Sequence, residues 1–197
     1  DCVPINKKNE IRVTPWGKIT YLEYKERIEF SKKEYDEIDL YCRELGIDWS
    51  ASAWDIKSIK FLNKYNLPFI KVPSDKCSDI EFINALQEIK MPIIISIGGT
   101  DLDQLESILN ILKDKKIIVL QCTSIYPCPT DKVNLRVMNT IKKRFNIPVG
   151  FSSHHTSPLI PAMAVAYGAK ITEVHVTLDR AMWGTDQSAS IEMAGMT

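Results

Sequence analysis

No run of apolar residues in this 197-residue chain reaches the ~18 needed to cross a bilayer as a helix. Neither charge is in surplus. Lys+Arg and Asp+Glu are equal at 25 each, which removes the electrostatic argument for nucleic acid and for an acidic disordered tail. The five cysteines (Cys2, Cys42, Cys77, Cys122, Cys128) are odd in number and never stand in CxxC spacing, so neither a zinc knuckle nor a redox pair is indicated. Reduced thiols are expected. Together with a polar, charged N-terminus that shows no signal peptide, they set the expectation of a cytoplasmic protein. No low-complexity stretch or domain linker interrupts the chain, and no glycine-rich turn follows its first apparent strand. Histidine is scarce: His154, His155 and His175 are the only three, all in the C-terminal quarter.

What is present is a regular beat. The hydrophobic share is 45% and the charged share 25%, enough for one sizeable core. From about residue 31, helix and strand patterns alternate. Ser31-Lys-Lys-Glu34 has the form of a capping box, Tyr35, Ile38, Cys42 and Leu45 follow at helical spacing, and Gly46 closes the helix. Ile47 to Ser52 then reads as a strand. Asp55 caps a helix with Ile56, Ile59 and Leu62, before a strand from Phe69 to Val72. Ser78 opens a helix with Ile80, Ile83, Leu86 and Ile89, before the strand Ile93 to Ser96. Thr100 caps one with Leu102, Leu105, Leu109 and Leu112, before Ile117 to Leu120. Val133, Val137, Ile141 and Phe145 mark a helix leading to Val149-Gly-Phe151. A helix around Ala162 to Tyr167 stops at Gly168 and gives Ile171 to Val176.

Short apolar strands alternating with helices predict an α/β fold with a parallel sheet. A Rossmann-type domain should carry a glycine-rich first turn, which is missing, so a (β/α)8 TIM-barrel type is the better match. Such barrels usually need ~250 residues and eight strands. Residues 31–197 are therefore expected to form a partial barrel of about six βα units, and residues 1–30 an irregular N-terminal segment.

Parallel α/β folds place their chemistry just past the carboxyl ends of the strands. Polar residues recur there: Ser52, Lys71, Ser74, Ser96, Thr123, Ser124, Tyr126, Ser152, His154 and His175. A lysine, several hydroxyls and the pair Gly98-Gly99 make a plausible phosphate cradle. Two histidines beside it suit a divalent metal, although two ligands are not a complete site. Each element has a plainer reading. A lone loop lysine is more often solvated, a hydroxyl after a strand is more often a turn former or helix cap, and Tyr126 has even odds of being a packing residue. His155, beside His154, is taken as structural or as a support just behind the site. The case rests on their coincidence on one rim.

The residues resemble the sialic acid synthases, meaning the N-acetylneuraminate synthases and their legionaminate and pseudaminate relatives. That family carries F-K-I-P-S, I-L-S-T-G-M, H-C-T-S-x-Y-P, G-Y-S-D-H-T, E-K-H-F-T-L-D and P-G-P-D-H-x-A-S-L-E. Here the corresponding segments are Phe69-Ile-Lys-Val-Pro-Ser74, Ile94-Ile-Ser-Ile-Gly98, Gln121-Cys-Thr-Ser-Ile-Tyr-Pro127, Gly150-Phe-Ser-Ser-His154, Glu173-Val-His-Val-Thr-Leu-Asp179 and Trp183-Gly-Thr-Asp-Gln-Ser-Ala-Ser-Ile-Glu192. The resemblance implies a transferase that condenses phosphoenolpyruvate with an N-acetylated hexosamine such as N-acetylmannosamine, giving a nine-carbon 2-keto-3-deoxy sugar acid and phosphate. It implies a Mn²⁺ or Mg²⁺ on His154 and His175. Phosphoenolpyruvate would lie on Lys71, Ser74, Ser96 and Ser152, with Ser52, Ser124 and Tyr126, and Asp186 would contact sugar hydroxyls. His154, His175, Tyr126 and Asp186 are thus the implied catalytic set. A homodimer is implied for the intact protein, with no nucleic-acid or membrane partner.

The chain also departs from the family. Ser153 replaces an aspartate, a kind of loss that can cost ~10 to 100-fold in metal affinity or activity. Asp75-Lys76 stands where Gly-Glu is usual, and Ser124 where asparagine often stands. The family's first two strands have no counterpart in residues 1–33, and its C-terminal antifreeze-like domain is not present. Two rival readings follow: a related barrel acting on a sugar phosphate, and a non-catalytic fragment or homologue that only binds ligand.

Overall fold

The computed structural model describes residues 3–196, so Cys2 lies outside the described residues. Its centre is a five-stranded parallel sheet in sequence order. The strands are β3 (Ile70–Val72), β4 (Ile93–Ser96), β5 (Ile117–Cys122), β6 (Val149–Ser153) and β7 (Thr172–Val174). β-Branched isoleucine and valine fill them because they suit a pleated surface covered on both faces. Helices α3 (Ile56–Leu62), α4 (Ile80–Ala85), α5 (Leu102–Ile111), α6 (Val137–Phe145) and α7 (Leu159–Ala166) return the chain between strands. Ile70, Val72, Ile93, Ile95, Val119, Val149 and Phe151 pack outward against Ile59, Leu62, Phe82, Ile83, Leu105, Ile108, Ile141 and Ala164 of these helices. Phe82 is fully buried there. Phe82→Ala should therefore cost about 3–5 kcal/mol of stability, read as a lower midpoint in urea unfolding.

The other face of the sheet turns inward and curls. β3 and β7 are its outermost strands, about 19 Å apart along the arc at ordinary strand spacing. Yet the Lys71 ammonium on β3 lies 3.5 Å from the Glu173 carboxylate on β7. Side chains from opposite ends can meet only if the sheet bends round on itself. The fold is the partial TIM-type barrel expected from the beat.

Several local expectations are corrected. Ile47 to Ser52 is not a strand: only Ser52 pairs, in a single parallel bridge to Lys71. The Ala53 N–H donates to the Lys71 carbonyl at 3.3 Å and the Ser50 hydroxyl to the Phe69 carbonyl at 2.7 Å. With a sheet neighbour on one side alone, the segment stays extended without a ladder. Helix α4 is capped by Asp79 rather than Ser78, and α5 by Asp101 rather than Thr100. In both, the carboxylate sits one residue closer to the first free N–H groups; Asp101 also forms a reciprocal capping box with Gln104.

Residues 1–30, expected to be irregular, contain regular structure within the described part. A hairpin of β1 (Ile11–Thr14) and β2 (Gly17–Thr20) turns at Pro15-Trp16 and leads to α1 (Tyr21–Ile28), capped by the Thr20–Glu23 box. Helix α2 (Lys32–Leu45) follows as predicted, with the Ser31–Glu34 box at its start and Gly46 in the left-handed conformation at its end. Past β7 the chain makes β8 (Val176–Thr177), paired with β9 (Ile191–Glu192). No helix among the described residues is long and apolar enough to cross a membrane.

Candidate active site

The inward face changes character along its depth. Ser96, Leu120 and Gly150 pair in one row; toward the carboxyl ends, Cys122, Ser152 and Glu173 pair in the next. Lys71 reaches this polar row from β3. It is buried, donates to the Val72 carbonyl at 3.0 Å and faces Glu173. Burial pushes its pKa below the ordinary lysine value, and the Glu173 carboxylate works against that shift. Glu173 in turn accepts a hydrogen bond from the Ser152 hydroxyl at 2.7 Å. The Ser96 hydroxyl is buried without a hydrogen-bond partner, an orphan donor on the same face.

Above this row a backbone N–H and two hydroxyls come together. Gly98 donates its N–H to the Ser74 hydroxyl at 2.8 Å. A Cβ on Gly98 would lie 2.3 Å from the Ser124 Oγ, 3.0 Å from the Ser74 Oγ and 3.2 Å from the Cys122 Sγ. Ser74, Ser124 and Cys122 therefore meet over a glycine that must have no side chain. Gly98→Ala should displace both hydroxyls and weaken anion binding roughly tenfold or more, with little change in melting temperature; titration with phosphoenolpyruvate would show it. The Cys122 thiol is pushed up by burial, but hydrogen bonds with His154, Ser152 and Ser74 outweigh this and bring its pKa below the ordinary value.

The three histidines separate cleanly. His154, one residue past β6, is buried, and its Nδ1 lies 2.8 Å from the Thr123 carbonyl. A carbonyl only accepts, so Nδ1 carries the proton and Nε2 keeps a free lone pair. Tyr126 stacks on the ring, with centroids 3.9 Å apart at 26°. The His175 ring lies 5.3 Å from that of His154 and 5.9 Å from that of Tyr126. The Asp186 carboxylate approaches the His175 Nδ1 at 3.8 Å. Burial, followed by the charges of Cys122 and Asp186, raises the Tyr126 pKa and keeps the phenol protonated. His155 is structural: its Nδ1 accepts from the Ser157 N–H at 2.9 Å and its Nε2 faces the Thr130 hydroxyl at 3.2 Å.

The candidate residues thus fall into two adjoining groups. Lys71, Ser74, Ser96, Ser124 and Ser152 form the cradle; Tyr126, His154, His175 and Asp186 form the imidazole side. Ser52 is apart from both, exposed at the open edge, although its bridge to Lys71 puts it on the inward face. Of the departures, Ser153 points to the opposite face from Ser152 and accepts from the His155 N–H at 3.3 Å. Lys76 pairs with Asp79 at 3.1 Å, and its ammonium lies over the Phe82 ring. Among the described residues no group of three or more His, Cys, Asp or Glu side chains is placed to hold a metal ion. The two imidazoles offer one oriented lone pair and a second ring beside it. That fits a divalent ion whose other ligands are oxygens from substrate and water.

Sequence reasoning passed over Glu173 and Cys122 as site residues. For Glu173 the signal was available: in the expected strand Ile171 to Val176 it alternates with His175, so the two share a face; Cys122 lies past the expected end of its strand at Leu120 and carried no such signal.

A model of the NeuB family matches residues 3–197. The chain belongs to the NeuB family. This NeuB-family chain is 40% identical over 180 residues to the N-acetylneuraminate-9-phosphate synthase of Homo sapiens, covering 90% of this chain and 50% of that protein. It is 33% identical over 176 residues to the N,N'-diacetyllegionaminic acid synthase of Campylobacter jejuni, covering 87% and 53%. It superimposes on the N-acetylneuraminic acid synthetase of Leptospira borgpetersenii, solved with citrate, at a TM-score of 0.82 and 29% identity, covering 85% of this chain and 60% of that one. The chain spans about half the length of the curated relatives it matches. The resemblance read from the motifs is borne out.

Proposed function

We propose that the intact protein condenses phosphoenolpyruvate with an N-acetylated hexosamine to a sialic-acid-type 2-keto-3-deoxy sugar acid. A carbon–carbon bond forms between the phosphoenolpyruvate methylene and the sugar aldehyde, water adds to C2, and phosphate leaves. The observation that carries this is the convergence of a buried lysine, an orphan hydroxyl and the Ser74 hydroxyl held by the Gly98 N–H beside two imidazoles, in a chain whose relatives are named sugar-acid synthases.

Lys71 and the hydroxyls of Ser74, Ser96, Ser124 and Ser152 bind the multiply anionic phosphoenolpyruvate, with Ser52 at the rim. Lys71, Ser96 and Ser152 are buried, and donors already fixed in place need no reorganisation as charge develops, which is where their value to catalysis lies. Glu173 holds Lys71 in place until the anion arrives. Tyr126 orients His154 by stacking, and Asp186 contacts sugar hydroxyls beside His175. His154 and His175 would hold Mn²⁺ or Mg²⁺, which supplies Lewis-acid polarisation of the aldehyde. A cytoplasmic homodimer is part of the same reading.

Phosphate release from phosphoenolpyruvate, assayed on the intact protein with N-acetylmannosamine and related amino sugars plus Mn²⁺, tests it. No turnover with any such sugar, together with unchanged metal binding in the His154→Ala/His175→Ala double variant, would sink it. A second reading, a sugar-phosphate acceptor, is favoured by one observation: the human and mouse relatives, 40% and 39% identical, are named 9-phosphate synthases. Competition between phosphorylated and unphosphorylated N-acetylmannosamine separates the two.

A further inference from the structure

The loop 178–190, which carries Asp186, is pinned at both ends. Val176 pairs with Ile191 and Thr177 with Glu192, and the Ile191 N–H donates to the His175 carbonyl at 2.8 Å. At the front of the loop, Asp179 accepts from the Ala181 N–H at 2.7 Å and Arg180 faces Glu192 at 3.6 Å. At the back, the Ser190 hydroxyl donates to the Asp186 carbonyl at 2.7 Å. The middle is different. Among the described residues, Trp183, Gly184 and Thr185 make no hydrogen bond.

What holds the middle is aromatic. The Trp183 ring meets Tyr24 edge to face at 5.3 Å and 89°, and Trp16 at 6.4 Å and 74°. Trp16 is at the tip of the N-terminal hairpin, and Tyr24 is the buried residue of α1. Cations flank the cluster: the Arg27 guanidinium lies 5.7 Å from the Trp16 ring and the Lys25 ammonium 5.5 Å from the Tyr24 ring. Gly184, next to Trp183, has no room for a side chain because the Gln187 amide lies 2.0 Å from where its Cβ would be. That same Gln187 Oε1 accepts the Asp186 N–H at 3.2 Å. A continuous run of contacts therefore links the hairpin to Asp186.

We propose that Trp183, clasped by Tyr24 and Trp16, is the positioning residue that sets Asp186 against His175. The N-terminal hairpin thereby fixes the sugar side of the site. This rests on the reading of Asp186 as an amino-sugar contact. Edge-to-face pairs at these distances add attraction beyond the area they bury, and losing them frees the one stretch of the loop with no other tether.

The test uses the full chain and its Trp183→Ala and Trp183→Phe variants. Affinities for N-acetylmannosamine and for phosphoenolpyruvate are titrated in the presence of Mn²⁺, and the His175 imidazole resonances are recorded by NMR. In Trp183→Ala, amino-sugar affinity should fall roughly tenfold. Phosphoenolpyruvate affinity should hold and the His175 resonances should move, and Trp183→Phe should restore most of both. Unchanged His175 resonances in Trp183→Ala overturn the proposal. So does an equal loss for both ligands, which would mark Trp183 as merely structural. If the wild type binds neither ligand, the condensation reading fails; a His175 shift in Trp183→Ala still supports the clasp.

Discussion

Replacing His154 with alanine should lower kcat/KM for condensation by roughly 10³-fold and abolish tight Mn²⁺ binding. The size follows from what the side chain does at once. It is the imidazole whose tautomer the structure fixes, since the Thr123 carbonyl holds the proton on Nδ1 and leaves Nε2 free. It is also the ring on which Tyr126 stacks, so its loss releases the tyrosine from the site. His155→Ala is the matching control. It removes a partner of Ser157 and Thr130 and should loosen that loop while leaving Mn²⁺ binding in place. Electron paramagnetic resonance of added Mn²⁺ and phosphate-release kinetics measure both. Tight Mn²⁺ binding retained in His154→Ala would remove the histidine pair from the proposed centre.

Lys71→Met should move function and stability in opposite directions. Phosphoenolpyruvate affinity should fall roughly 10²-fold, because a desolvated charge-assisted contact to an anion is lost. Folding stability should hold or rise, since an apolar side chain of similar length replaces a buried charge. The partner left behind, Glu173, is partly exposed and keeps its bond from Ser152, so its stranding costs little. The pH dependence gives a second reading. Burial depresses the folded pKa of Lys71 below its ordinary value. In the window between the two values the unfolded chain binds more protons, so the wild type gains stability as pH rises through it. The variant should lack that gain. Urea unfolding at several pH values and titration with phosphoenolpyruvate check both halves. A variant that binds phosphoenolpyruvate normally would show that Lys71 is only a core lysine.

The fold was legible because its signals are local. Isoleucine and valine runs named four strands within a residue or two, and Gly46 and the Ser31–Glu34 box marked the ends of α2 where the structure has them. What was not legible depends on neighbours. Ile47 to Ser52 has a strand's composition, but a ladder needs partners, and composition cannot say whether they exist. Ser78 and Thr100 are good capping residues, each followed by a better one. At residues 11–20 the turn Thr14-Pro-Trp-Gly17 is legible in the sequence and is borne out, but without the Asn-Gly or Asp-Gly pair of a tight hairpin nothing announces the two strands that flank it. The candidate site was read from polar residues at or just past strand ends, and the structure brings Lys71, Ser74, His154 and His175 together at one end of the sheet. Glu173 was passed over; it lies within a strand and acts across the curl on a residue from the far edge of the sheet.

That contact has a mechanical side. Lys71 and Glu173 tie the two ends of an arc, as a string ties a bow, and the arc is the sheet itself. The two strands farthest apart along the sheet are therefore joined by an ion pair across its concave side.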